Sequence, residues 1–164
     1  MVFKKLALFL LIFLCLALFW GWVTRFERQA NARFVQIRAA QPSVVVLPQG
    51  ELLESREEVV RSHVPRCATV GISQLFGAND LTLQEIAEWY AANIDPTVWE
   101  GTGVSEFGIT FTRNDGFSLG VSDAHQWRFK WVDIIPQWET KYDTLYFVEI
   151  GGFVDPNITQ AQCT

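Results

Sequence analysis

The stretch Leu81-Thr-Leu-Gln-Glu-Ile-Ala-Glu-Trp-Tyr-Ala-Ala-Asn-Ile-Asp-Pro96 sets the reading of everything around it. Thr82 followed three residues later by Glu85 forms a capping box, in which the hydroxyl takes a free N–H of the first turn and the carboxylate reaches back to the cap. Leu81 and Ile86 stand where a hydrophobic staple stands. Leu83, Ile86, Ala87, Tyr90, Ala91 and Ile94 then recur at helical spacing and make one apolar stripe. Asp95-Pro96 ends the helix, because proline disfavours the helical region for the residue before it. A helix with one dry face needs a flat apolar surface to lie on.

The flanking sequence supplies strands. Cys67 to Phe76 alternates Ala68, Val70 and Ile72 against Thr69, Gly71 and Ser73. Ile109–Thr112 and Phe117–Val121 flank Arg113-Asn-Asp-Gly116, a hairpin signal. Trp127–Ile135 and Thr144–Phe153 read as two further alternating strands, and Glu51–Val64 fits a short helix or a strand about equally. The expectation is an α+β fold: one main helix packed on an antiparallel sheet of roughly four or five strands, in two layers.

Upstream the pattern changes. Leu6 to Val23 (LALFLLIFLCLALFWGWV) runs 18 residues without a charge, a length that crosses roughly 27 Å as a helix and so suits a bilayer core. Trp20 and Trp22 stand at its end, where amphipathic rings favour the headgroup level. A cleaved signal peptide ending at Ala30-Asn31-Ala32 is the competing reading, but the apolar run is longer than such segments need and Arg25, Glu27 and Arg28 intervene. The organisation expected is a transmembrane signal-anchor over 1–23, a basic stalk over 24–41 and an α+β domain over 42–164. Within the stalk, Phe26, Ala30, Phe34 and Ile37 keep helical spacing, so the anchor helix is expected to continue toward Pro42.

Charge divides along the same line. Residues 24–41 carry four Arg and one Glu; residues 42–164 carry seven Lys and Arg against seventeen Asp and Glu, a net −10. A basic collar suits anionic headgroups. An acidic domain excludes nucleic acid as a natural partner, since phosphate binding needs a positive surface. Basic residues on both flanks leave orientation open by charge alone. Cys67 and Cys163 bracket the folded part; if paired they close a long loop and place the domain outside the cytoplasm, and if unpaired they are two thiols. Asn157-Ile158-Thr159 is a glycosylation sequon.

Leu47-Pro-Gln-Gly-Glu-Leu-Leu53, a cysteine-bearing strand ending in Phe76-Gly77, the helix Leu83-Gln-Glu-Ile-Ala-Glu-Trp-Tyr90 and then Trp99 together resemble bacterial membrane-anchored or lipoprotein-type envelope domains. The resemblance covers about fifty residues. It implies the fold class and an envelope location, and no site.

Chemistry-bearing motifs are sparse. Asp123-Ala-His125 places an acid and a base on one strand face, which a hydrolase would need to complete with a nucleophile; two surface polar residues explain it as well. His63 and Cys67 are two ligand types, short of the four a zinc site takes. Gly101-Thr-Gly103 lacks the strand-to-helix setting of a phosphate loop. No cofactor or metal is expected. The five tryptophans outside the anchor are the unusual feature. Trp127, Trp131 and Trp138 are the candidate partner-binding aromatics if their face is exposed, and core if it is not.

The sequence therefore reads as a single-pass envelope protein, anchored through Leu6–Val23, whose acidic domain binds another envelope protein or a glycan. The alternatives are an envelope hydrolase built on Asp123 and His125, and an accessory subunit of a membrane complex docking through its anchor. For the latter the anchor offers few small residues, only Ala7, Ala17 and Gly21.

Overall fold

The computed structural model describes residues 2–41, 45–60, 67–127, 131–158 and 162–163. Helix α1 (Val2–Ala40) is followed by strands β1 (Glu51–Val60) and β2 (Thr69–Ala78), helix α2 (Leu83–Asn93) and strands β3 (Glu100–Ser105), β4 (Gly108–Thr112) and β5 (Phe117–Asp123). A 3-10 turn (Ala124–Trp127), the short helix α3 (Ile135–Trp138) and strand β6 (Thr144–Phe153) complete the chain. The strands form one antiparallel sheet in the order β1-β2-β6-β5-β4-β3. The fold is α+β, with six strands among the described residues where the sequence suggested four or five.

Two of the differences have clear causes. Glu51–Val60 is a strand, and its apolar residues are too few to bury; it serves as a charged edge, which discourages pairing with other chains. The described part of Trp127–Ile135 is not a strand. β5 and β6 pair directly, Leu119 against Ile150 and Val121 against Val148, so the sheet has no slot between them. The intervening segment instead folds across the sheet. Its apolar residues Trp131, Ile134, Ile135 and Trp138 stand at i, i+3, i+4 and i+7, the helical period rather than the alternating one.

The capping box of α2 is formed in full: Thr82 Oγ1 accepts the Glu85 N–H and the Glu85 carboxylate accepts the Thr82 N–H at 2.8 Å. Ile86, Ala87, Tyr90 and Ile94 are buried against one face of the sheet. The second half of α1 covers the same face, burying Ala30, Phe34, Ile37 and Ala40. Beneath them lie the even residues of β2 (Val70, Ile72, Phe76) and the matching residues of β6 (Tyr146, Val148, Ile150).

The opposite face is covered over part of its area. There the segment 124–142 encloses a second core of Leu75, Trp131, Ile135, Tyr142, Leu145 and Phe147. The domain thus has a third, partial layer that the two-layer expectation lacked. Helix α1 is long, about 58 Å at 1.5 Å per residue. Its segment from Leu10 is apolar and long enough to cross a membrane, and the apolar window is not buried by any of the described residues.

Candidate functional site

Three places come up for a site: the acid–base pair, the tryptophans, and the part of the second sheet face that the 124–142 segment leaves bare.

Asp123 ends β5 and caps the 3-10 turn after it, its Oδ1 accepting the His125 backbone N–H at 2.9 Å. The same oxygen lies 2.8 Å from His125 Nδ1, and His125 Nε2 faces Glu139 at 3.4 Å. Both side chains are well exposed, and among the described residues no hydroxyl or thiol faces the imidazole. Asp123 and His125 do touch, but the arrangement ties the 3-10 turn to the end of α3 and brings no nucleophile. Among the described residues no group of three metal-ligating side chains converges. His63 lies outside the described residues, as does Thr159 of the sequon.

The tryptophans divide. Trp131 is buried, its ring 5.0 Å from that of Phe147, with the Arg56 guanidinium 4.2 Å above it. It is a core residue. Trp138 is half-buried beside Tyr142, with Lys141 at 5.2 Å from its ring. The side chain of Trp127 lies outside the described residues. Among the described residues, Trp131 and Trp138 form no shared exposed face.

The bare part of the second face was not singled out from the sequence. It opens into a trough of about 1220 Å³ that is floored by β2, β6, β5 and β4 and runs past the end of the sheet to α1. Register places Ser73 beside Glu149 and Glu149 beside Gly120, across three adjacent strands. Ser73 is buried and donates its hydroxyl to Glu149 Oε1 at 2.7 Å. Hydroxyls of Thr110 and Ser118 and the glycines Gly71 and Gly151 complete the floor.

The end wall belongs to α1. Arg33, 6% exposed, donates from Nε to the Phe153 carbonyl at 3.0 Å and from Nη1 to Gln36 Oε1 at 2.8 Å. Its guanidinium stacks 4.2 Å from the Phe117 ring centroid. Burial pulls its pKa below the usual guanidinium value, and Asp115 opposes that. The second arginine of the wall, Arg113, is held by both oxygens of Asp115, at 2.8 and 2.6 Å. Asp115 is correspondingly kept below the normal carboxyl range, first by this hydrogen bonding. Both guanidinium groups are therefore hydrogen-bonded within the protein, and Glu58 and Glu149 are the other charged residues of the lining. Sequence reasoning had one signal for this surface: glycines in the middle of three predicted strands, which often mark close approach of another group.

Cys67 and Cys163 stand at disulfide distance, their Cα atoms 5.6 Å apart across 96 residues of sequence. The remaining cysteine, Cys15, is exposed on the apolar half of α1.

No family model matches the chain, and no similar curated protein or solved structure was found.

Proposed function

We propose that the chain is a single-pass membrane protein whose acidic α+β domain is mounted outside the cytoplasm as a binding module for another envelope component. The observation that carries this reading is the two-part character of α1. One helix has an apolar half that none of the described residues buries and a second half buried in the domain. An apolar surface of that length left in water would be costly at about 25 cal/mol per Å², whereas a bilayer accepts it.

The geometry further supports a rigid mount. Phe26 is already half-buried and Ala30 fully buried, while the uncharged run ends at Val23. Arg33 and the Arg38–Glu57 ion pair then tie the helix to the sheet, the latter with two bonds of 2.8 Å. Such a domain would sit close against the headgroups, with exposed Arg25 and Arg28 at their level. The cysteine pair at disulfide distance supports an oxidising compartment.

The test is the intact mass of protein extracted from membranes after alkylation under non-reducing, denaturing conditions. A full-length mass with one alkyl group, on Cys15, is expected. Three alkyl groups would place the domain in a reducing compartment, and a mass beginning near Arg33 would mean that the apolar run is removed. Either result overturns the reading.

A further inference from the structure

The second face of the sheet carries glycines at Gly71, Gly77, Gly120 and Gly151, and the fold explains three of them. At Gly77 a Cβ would collide with the ring of Tyr142, which lies on that position. At Gly71 and Gly151, which face each other across β2 and β6, a Cβ would come within 3.1 Å of a carbonyl oxygen on the neighbouring strand. Gly120 differs. Its backbone is not in the left-handed region, and a Cβ there would meet no atom within 4 Å. Nothing among the described residues asks for glycine at the centre of this strand, where alanine is the more stable choice.

Gly77 shows what a bare position on this face is used for: an incoming side chain lies directly on the backbone. Gly120 is the same kind of position in the uncovered part, next to Glu149 in register. Glu149 is oriented from below by Ser73, which holds Oε1, and among the described residues no partner takes Oε2. The two arginines of the end wall are spent on Phe153, Gln36 and Asp115. The floor therefore presents an uncompensated carboxylate inside a domain of net charge −10 over residues 42–164.

We infer that this trough docks a basic segment of a partner polypeptide, with a Lys or Arg side chain laid over Gly120 and its cation on Glu149. Charge complementarity selects the cation. The trough is open and about 1220 Å³, which leaves room for an extended peptide segment. This inference rests on the binding-module reading and names the surface and the partner chemistry.

The experiment uses the full chain in zwitterionic nanodiscs, titrated with a nonalysine peptide, with spermine and with nonaglutamate. Binding is followed by calorimetry and by the amide shifts of Gly71, Gly120 and Gly151. Gly120→Val raises the floor at a position where a Cβ meets no atom within 4 Å, and Glu149→Gln removes the charge while keeping an acceptor for Ser73. Nonalysine is expected to bind, to move these glycine amides and to lose at least tenfold in affinity in both variants, with Tm within a few degrees of the parent. Equal affinity in either variant would put the peptide elsewhere on the acidic surface and overturn the inference. So would binding of spermine as tight as that of nonalysine, or no binding of nonalysine. The alkylation masses decide mounting and compartment independently, so failure of the trough and failure of the anchor reading are told apart.

Discussion

At the scale of single residues, the tyrosine pair under the Leu47–Gly50 turn makes the sharpest prediction. Tyr146 stacks on Phe76 at 5.4 Å and meets Tyr90 edge-on at 6.5 Å. A Cβ at Gly50 would collide with the Tyr146 hydroxyl, so the turn is closed down on it. The Tyr90 hydroxyl lies beside the Leu47 carbonyl and the Tyr146 hydroxyl without reaching hydrogen-bond geometry with either. Burial pushes both phenols above their ordinary value, most strongly for Tyr146, where the neighbouring Tyr90 adds to it. Raised folded-state values mean that stability from this pair is fully present below about pH 10, the unfolded tyrosine value. It is lost as pH rises through the folded values. In a spectrophotometric titration these two phenols should ionise only together with loss of near-ultraviolet circular dichroism; ionisation of all tyrosines near pH 10 in a folded domain would contradict it. Tyr146→Phe removes a hydroxyl that has no partner. It should leave stability unchanged or raise it by up to about 1 kcal/mol, since an unsatisfied buried polar group is a cost.

Elements show what could be read beforehand and what could not. Helix α2 was legible to the residue because its signals are local: Thr82, Glu85 and a stripe whose period has no competitor. Thr82→Ala should cost about 0.5–2 kcal/mol, measured by urea unfolding. The Thr82 backbone N–H, and then its hydroxyl, hold the Glu85 carboxyl below its usual value, so the contribution is present above about pH 4.3 and fades as pH falls further. The β4–β5 hairpin was legible for the same local reason. The segment 127–138 was not, because Trp127, Phe129 and Trp131 alternate while Trp131, Ile134, Ile135 and Trp138 have helical spacing. Local pattern fits both; the direct β5–β6 pairing decides, and that is a long-range fact. As a surface tryptophan Trp131 would be nearly neutral to remove. Buried between Phe147 and Arg56, its change to Ala should instead cost about 3–5 kcal/mol. The trough was illegible for a related reason. Gly71, Gly120 and Gly151 are far apart in sequence, and only register shows which of them the fold itself requires.

For the whole molecule, the decisive fact is which parts the Cys67–Cys163 link encloses. The loop it closes runs from the start of β2 to beyond β6, so it holds β2 through β6 together with α2 and α3. α1 and β1 lie outside it. β1 is an edge strand paired only to β2, and α1 is attached through Ala30, Phe34, Ile37 and the bonds of Arg33 and Arg38. A cross-link over so long a loop stabilises mainly by restricting the unfolded chain, by about 4.7 kcal/mol for a loop near 100 residues in the entropy treatment and commonly 2–5 in practice. Replacing both cysteines by Ala should therefore lower Tm by about 10 °C or more. The loss should not be uniform in kind. Because the link acts on the global unfolded state, amides at the centre of the sheet, such as those of Leu75 and Val148, should lose protection against hydrogen exchange by about the full amount. Amides of β1 exchange by local fraying of an edge strand, whose unpaired state the link does not restrict, and should change little. Hydrogen exchange on the parent and the double-Ala chain separates the two behaviours. Equal loss of protection in β1 and β2 would mean that the edge strand opens only when the whole domain does. Attachment of α1 and β1 would then be part of one cooperative unit, rather than a mount added to a cross-linked core.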